Sequence, residues 1–324
     1  MTSHSPDEVT LFILDFGTAR DRNDPLHRGR LIRATSDGTS FEPLVENLYL
    51  PDSIDILPDE GRLYWTCMGL PGVQDGSVNS CLLDGTDLKQ AVPIGLLNTP
   101  KQLVLDPVHR KMYLCDREGL RVLRCALDGS HMEVLVQTGD PSVGEQKMDQ
   151  MRWCVGLAIH WKERKIYWTQ KGPNRRNRGR IFRANIDIPD GCTASTRHDI
   201  ECVIDKLPEP IDLEIDPSNN NLYWTDRGDV PWGNSINRCS LSLFEHANEP
   251  PLSGTVLTPP PYEVLARRLH EAIGLKLDMR NKRVFVTDMG GCVYSIDLDG
   301  TGIRKMYEDK GTYTGINLTC VGNA

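Results

Sequence analysis

Five short runs along the chain alternate apolar and polar residues: SIDIL from Ser53, QLVLD from Gln102, GLAIH from Gly156, DLEID from Asp212 and GLKLD from Gly274. Period-two alternation sends successive side chains to opposite faces, so each run predicts a β-strand, called strand A below. Ten residues after its first apolar position (Ile54, Leu103, Leu157, Leu213, Leu275) each run is followed by an aromatic residue (Tyr64, Tyr113, Tyr167, Tyr223, Phe285). These aromatics open a second run, strand B: LYWTCMGL, MYLCDREG, IYWTQKGP, LYWTDRGD and VFVTDMGG. A sixth, weaker copy, LFILDFGT, starts at Leu11 with Phe12 in the aromatic position, and successive aromatics lie 52, 49, 54, 56 and 62 residues apart.

A period near fifty accommodates one four-stranded sheet per repeat. Segments such as DPVHRK and DPSNNN place Pro and Asn where the turn from A to B needs them. Later in each repeat stand SDGTS, LDGTD, LDGSH and LDGTG, from Ser36, Leu83, Leu127 and Leu298, where Asp-Gly supplies hairpin chemistry before a fourth strand. Repeat five has LSLFEH in that place. The first copy lacks a strand A, and GINLT, Gly315 to Thr319, has the strand A pattern with no strand B after it. The C-terminal strand is therefore expected to complete the N-terminal sheet and close a ring, removing exposed sheet edges. The predicted fold is all-β, a six-bladed β-propeller of four-stranded antiparallel blades, with residues 1–324 as one domain.

Composition narrows the function classes. With 37 Lys and Arg against 45 Asp and Glu, the net charge of −8 gives no general attraction to nucleic acid or to an anionic membrane. Val9 to Leu14 is too short for a signal-peptide core, and no run is long enough to span a bilayer, so a cytoplasmic location is expected. The ten cysteines are irregularly spaced and read as reduced thiols.

The Tyr-Trp-Thr-Asp copies resemble the YWTD propellers of low-density-lipoprotein-receptor relatives over nearly the whole length. The pattern departs at Cys67 and Gln170, in place of Asp, and at Leu114 and Cys115, in place of Trp-Thr. In the receptors the propeller binds proteins and is flanked by disulfide-rich modules. Without such flanks, the chain is more similar to stand-alone fungal propellers of natural-product pathways, some of which are hetero-Diels–Alderases. That resemblance implies a cofactor-independent cyclase or pericyclase acting on a small hydrophobic organic substrate. A non-catalytic propeller that binds a protein or other ligand, and a calcium-dependent hydrolase or lactonase, are the alternatives.

In a propeller, the loops entering strand A and leaving strand B share one face and converge on the channel mouth. On that face the sequence places Asp52, Met68, Lys101, Trp153, Glu209, Arg227, Trp232 and Met289 as candidate substrate-binding residues. Arg117, Tyr313 and His270 are the candidate catalytic groups, expected to polarise an oxygen-bearing substrate by hydrogen bonding while the pocket holds the partners in a reactive arrangement. No Ser-His-Asp elbow, Walker loop, dinucleotide fingerprint, HExxH or paired CxxC occurs, so neither a cofactor nor a metal is expected.

Within strand A, Asp55, Val104, Ala158, Glu214, Lys276 and Asn317 are expected to face the channel. Their acids suit either a hard cation or, as the preferred reading, neutralisation by Lys276 and water. Cys81, Cys125 and Cys239 repeat a small apolar slot also filled by Ala34 and Ala184. Cys154 is expected to be a structural thiol, and Cys192 and Cys202 to face each other unbonded. Lys171 to Arg180, KGPNRRNRGR, is expected to form a solvated loop over the mouth. The Asn317 sequon falls inside the closing strand, where no glycan fits.

Overall fold

The computed structural model describes residues 8–17, 28–245, 251–253 and 260–320. Among these residues the chain forms six antiparallel sheets in a ring, each running from an innermost strand A to an outermost strand D. The innermost strands of blades 2 to 6 are Pro51–Leu57, Pro100–Asp106, Cys154–His160, Pro210–Asp216 and Ala272–Asp278. Blade 1 takes its innermost strand from the C-terminus: Tyr313–Cys320 pairs with Val9–Gly17, with Phe12 opposite Asn317 and Thr10 opposite Thr319. The closure expected from GINLT is thus the closure observed.

The Tyr-Trp-Thr-Asp element is strand B of each blade, and alternation explains its composition. Tyr167 packs with Trp224 of the following blade, Tyr113 with Trp168, and Phe12 with Trp65. Each aromatic pair thus fills two successive interfaces between blades, one residue to each side. Trp65, Trp168 and Trp224 are fully buried. At about 25 cal/mol per Å² and roughly 150–250 Å² per indole, each contributes about 4–6 kcal/mol of transfer free energy. Leu114, Val286 and Ile13 fill the same slot with smaller side chains.

The motif threonine faces the following blade. Thr225 Oγ1 accepts a hydrogen bond from Asp212 N of its own blade (3.1 Å) and donates to Ile273 O of the next (2.5 Å). Thr169 repeats the bridge with Gly156 N and Ile211 O, and Thr287 with Gly274 N and Thr314 O. The strands come so close that a Cβ on Gly156 would lie 1.9 Å from Ile211 O, and one on Gly274 2.2 Å from Thr314 O. Blade 1 has Leu14 in the threonine position, and Thr314 Oγ1 makes the junction instead, donating to Pro51 O at 3.0 Å.

The Asp-Gly turns lie between strands C and D, and Gly38, Gly85, Gly129 and Gly300 adopt φ of 80–86° there. Blade 5 replaces its turn by the 3₁₀ segment Leu241–Phe244, which buries Leu241 and Phe244. The chain then adds Leu252–Ser253 parallel to Glu201–Leu207 of blade 4, giving that sheet a fifth strand, before Glu263–Arg267 completes blade 5.

Replacing Thr225 with Val keeps its shape but leaves a buried N–H and C=O unpaired at one blade junction. The expected loss is about 1–3 kcal/mol, read as a lower denaturation midpoint with an unchanged denaturant slope.

Candidate functional site

Each innermost strand of blades 2 to 6 carries a β-bulge near its start, and the bulge determines which side chains reach the axis. The second residue of each strand forms one layer: Asp52, Lys101, Val155, Ile211, Ile273 and Thr314. Val155, Ile211 and Ile273 from three consecutive blades pack together, with Met289 against them, as an apolar plug. On the other side of the axis, Lys101 Nζ is paired with Asp52 and lies 3.1 Å from Met68 Sδ. Burial lowers the Lys101 pKa below its ordinary value, against the pull of Asp52.

Above this layer, the loops leaving strands B bring a second group together. The Arg117 guanidinium lies 4.8 Å from the centre of the Trp153 ring, and Lys171 Nζ lies 5.9 Å from it. Trp153 is held in place by its Nε1, which donates to Lys147 O (2.8 Å) of the short helix Gly144–Met148. Glu209 Oε1 accepts from Lys171 Nζ (2.8 Å) and Arg227 Nε (2.8 Å). Arg117 makes a two-point contact with Glu118 through Nε and Nη2, at 2.8 and 2.6 Å. Its Nη1 has no hydrogen-bond partner among the described residues. The mouth thus presents an apolar floor ringed by three cations and an indole. Lys171, which the sequence places on this face at the start of the basic loop but not among the substrate-binding candidates, joins them because its side chain turns inward and is buried. Burial lowers its pKa.

Asp52, Met68, Lys101, Arg117, Trp153, Glu209 and Arg227 therefore come together as expected from sequence, and Met289 joins through the apolar plug. Three predicted residues lie elsewhere. Tyr313 is the first residue of its strand, one position before the axial layer. Its ring is fully buried between blades 6 and 1, 5.8 Å from Phe41. His270 is exposed with its backbone N–H on Asp288 and its imidazole against Gly290. Trp232 packs its ring 4.4 Å under the Arg267 guanidinium, over the outermost strand of blade 5.

The motif aspartates sit at the rim and tie the two sets of loops together. Asp116 accepts from Asn98 N and Thr99 N, Asp226 from Glu209 N and Gly228 N, and Asp288 from His270 N and Gly290 N, at 2.8–3.0 Å. In the blades that lack the aspartate, Gln170 accepts from Arg180 and Cys67 from Asn79. Burial pushes the Asp226 carboxyl up to about 7.

Deeper in the channel, Lys276 Nζ bonds Glu214 Oε1 at 2.8 Å. Asp55 accepts from Ile56 N, Leu105 N and Asn317 Nδ2, each at 2.8 Å. The acids are thus committed to protein donors, and among the described residues no three His, Cys, Asp or Glu side chains converge as ligands. This does not fit the converging oxygens a calcium site needs.

Cys154 is buried and its thiol is pushed up to about 12, which keeps it protonated. His160, at the far end of the same strand, caps a turn through Nδ1. Cys192 and Cys202 are free thiols: the first lies 3.3 Å from His198 Nδ1, the second points at Ile204 O. The Lys171–Arg180 loop is anchored at both ends, by Lys171 on Glu209 and by Arg180 on Met151 O, with exposed residues between. Among the described residues no helix is long and apolar enough to cross a membrane.

Two outcomes follow from these charges. Lys101→Met strands the Asp52 carboxylate and is expected to cost about 3–5 kcal/mol in chemical denaturation. For Asp226, the native carboxyl holds its proton up to about 7, whereas the unfolded one releases it near 3.8. Between those values the native state binds more protons, so the wild type loses stability relative to Asp226→Asn as pH rises. Outside that window the difference is flat, and denaturation curves measured across pH check it.

No family model matches the chain. It is 41% identical over 310 residues to the 3-hydroxyacyl-CoA dehydrogenase-like protein LAM1 of Cochliobolus heterostrophus, covering 95% of this chain but only 64% of that protein. Among solved structures it superposes on a chain of the nidogen/laminin complex with a TM-score of 0.69 at 15% identity, covering 96% of this chain and 98% of that one. The fit to TolB from Acinetobacter baumannii has a TM-score of 0.63 at 10% identity, over 96% of this chain and 66% of that one. These two likenesses concern the propeller fold alone. A Pyricularia oryzae protein named low-density lipoprotein receptor-related protein 1 is 41% identical over 312 residues, covering 95% of this chain and 97% of that protein. At that identity and coverage, the chain belongs to the same family of propeller proteins as the Pyricularia oryzae protein.

Proposed function

We propose that the protein is a cofactor-independent cyclase of the hetero-Diels–Alder type, acting on a hydrophobic natural-product intermediate at the channel mouth. The observation that carries this reading is the plug of Val155, Ile211 and Ile273, with the Arg117 guanidinium stacked on Trp153 beside it. The apolar floor and the indole face take up the hydrocarbon parts of both reacting partners. Arg117 Nη1 donates to the oxygen of a heterodiene, which withdraws electron density from the reacting atoms and lowers the barrier. No proton changes hands, so a fixed donor is what the step requires, and Glu118 holds Arg117 by two of its nitrogens. Shape supplies the rest, because binding both partners in reactive contact removes the entropic cost of their encounter.

The test is to give the purified protein a 1-oxadiene and an electron-rich alkene, then compare rate, product ratio and stereochemistry with the spontaneous reaction. Acceleration with a changed product ratio is expected. Arg117→Ala should lower the acceleration about ten- to a hundredfold, the equivalent of one hydrogen bond from a charged donor, measured below the melting temperature of the variant, which falls because the buried Glu118 carboxylate loses its partner. A product mixture identical to the spontaneous one across a panel of substrates excludes this reading.

A second reading, a propeller that binds a protein, has one observation in its favour. The outermost strand of blade 2, Lys89–Leu97, exposes Ile94 and Leu96 beside Leu88, an apolar edge of the kind that pairs with partner chains.

A further inference from the structure

Gln102 and Asp212 divide the channel. Gln102 reaches across blade 4 to blade 5: its Oε1 accepts from Leu157 N (2.5 Å) and Leu213 N (3.0 Å), and its Nε2 donates to Leu213 O (3.0 Å). On the side of this crossing away from the mouth lies a cavity of about 430 Å³, extending to Trp161, Lys162 and Pro217 at the turns from strand A to strand B. None of the residues placed at the mouth lines it. The volume falls within the roughly 300–1,000 Å³ range of small-molecule sites.

Most polar groups in the wall are satisfied by the protein. Gln102 makes three hydrogen bonds, Asp55 accepts three, and Glu214 accepts from Lys276 and from Leu277 N (2.6 Å). Asp212 is the exception. Its side chain lines the cavity and the residue is only 5% exposed, yet its carboxyl oxygens meet no hydrogen-bond donor among the described residues. A buried polar group without a partner marks a place where something else binds.

Charge limits what that partner can be. Burial, reinforced by Asp52 and opposed by Lys101, pushes the Asp212 pKa well above the ordinary carboxylate range, which favours the neutral carboxyl. An anion entering the cavity meets Asp55 and Glu214. A cation meets Lys276, whose ammonium is held above its ordinary pKa by Glu214 and Asp55 although burial opposes it. A neutral oxygen function avoids both penalties and accepts the Asp212 proton donor directly. Apart from Ser53, Asn317 and, at the rim, Lys162, the remaining wall is apolar, and Val104 and Ala158 lie along the channel. Trp161, 43% exposed at the rim, has its ring edge-on to Tyr113 at 5.8 Å. An indole half in water at a cavity entrance suits an apolar ligand body.

We propose that this cavity is a second binding site, distinct from the mouth, for a neutral organic molecule whose carbonyl or hydroxyl oxygen bonds Asp212 and whose apolar body lies along Val104, Ala158 and Trp161.

The test uses 6-propionyl-2-(dimethylamino)naphthalene, a neutral ketone whose fluorescence moves to the red when its carbonyl accepts a hydrogen bond. Titration into the wild-type protein is expected to show saturable one-to-one binding. Val104→Trp fills the cavity and should weaken binding at least about tenfold, while Asp212→Leu should weaken it similarly and shift the bound emission to the blue. Asp212→Asn retains a donor and should stay within about threefold of wild type. Cooperative melting of each variant confirms folding, and Ala158→Leu replaces Val104→Trp as the filling change if the latter does not fold. Absence of saturable binding to the wild type means that water alone occupies the cavity and overturns the proposal. Binding left within threefold by both filling changes, or bound emission unaltered by Asp212→Leu, overturns it as well.

Discussion

Neighbouring blades approach so closely at the axis that one hydroxyl joins two innermost strands. Thr169, Thr225 and Thr287 each accept the N–H at the bulge of their own strand A and donate to a carbonyl of the next blade. Much of the architecture depends on that contact. It requires a bulge to free the N–H, and it brings the strands near enough that Gly156 and Gly274 tolerate no side chain. Where the threonine is missing, as at Leu14, Thr314 supplies the hydroxyl from the opposite strand, so the junction is retained although the motif is not. A buried N–H and C=O left unpaired at any junction would weaken the ring where hydrophobic packing between blades is narrowest.

The same bulges organise the channel. By adding a residue near the start of each strand, they send the second position to the axis and then restore the alternation, so two layers of side chains face inward. The upper layer combines the apolar plug with the Lys101–Asp52 ion pair and Thr314, and forms a floor for the mouth. The lower layer carries Asp55, Glu214, Lys276 and Asn317, which satisfy one another or the backbone. Gln102 crosses between the layers and ties blades 3, 4 and 5 together. One channel thereby has two chemically different ends, a cationic aromatic bowl and a cavity with the buried, unpartnered Asp212 carboxyl in its wall.

Cations gather at the mouth of a protein whose net charge is −8. Each is matched: Lys101 with Asp52, Lys171 and Arg227 with Glu209, Arg117 with Glu118. Pairing keeps the cost of burial tolerable, since an isolated buried charge is expensive. It also fixes the side chains, which is the condition for a donor that must act without moving. Arg117 is the clearest case, held by Glu118 at one edge and by the Trp153 face below.

The repeats were readable from sequence because they follow from local rules. Period two marks the strands, Asp-Gly marks the turns, and the orphaned GINLT segment identifies the closure, since each reflects backbone geometry that neighbouring residues impose. The mouth residues Asp52, Lys101, Arg117, Trp153, Glu209 and Arg227 were legible as well, because position relative to strands A and B determines the face on which a residue lies. Side-chain direction was not. Tyr313 is one position before the axial layer and turns into the core between blades, Trp232 folds outward under Arg267, and Lys171 turns inward from a loop that reads as solvated. These outcomes depend on the bulge and on partners distant in sequence, as does the contact of Gln102 with a strand 111 residues away. Sequence determined how many blades there are and where the ring closes. Tertiary structure alone decided which side chains meet at the axis, because that is set by the spacing between blades and by the partners each buried charge finds there.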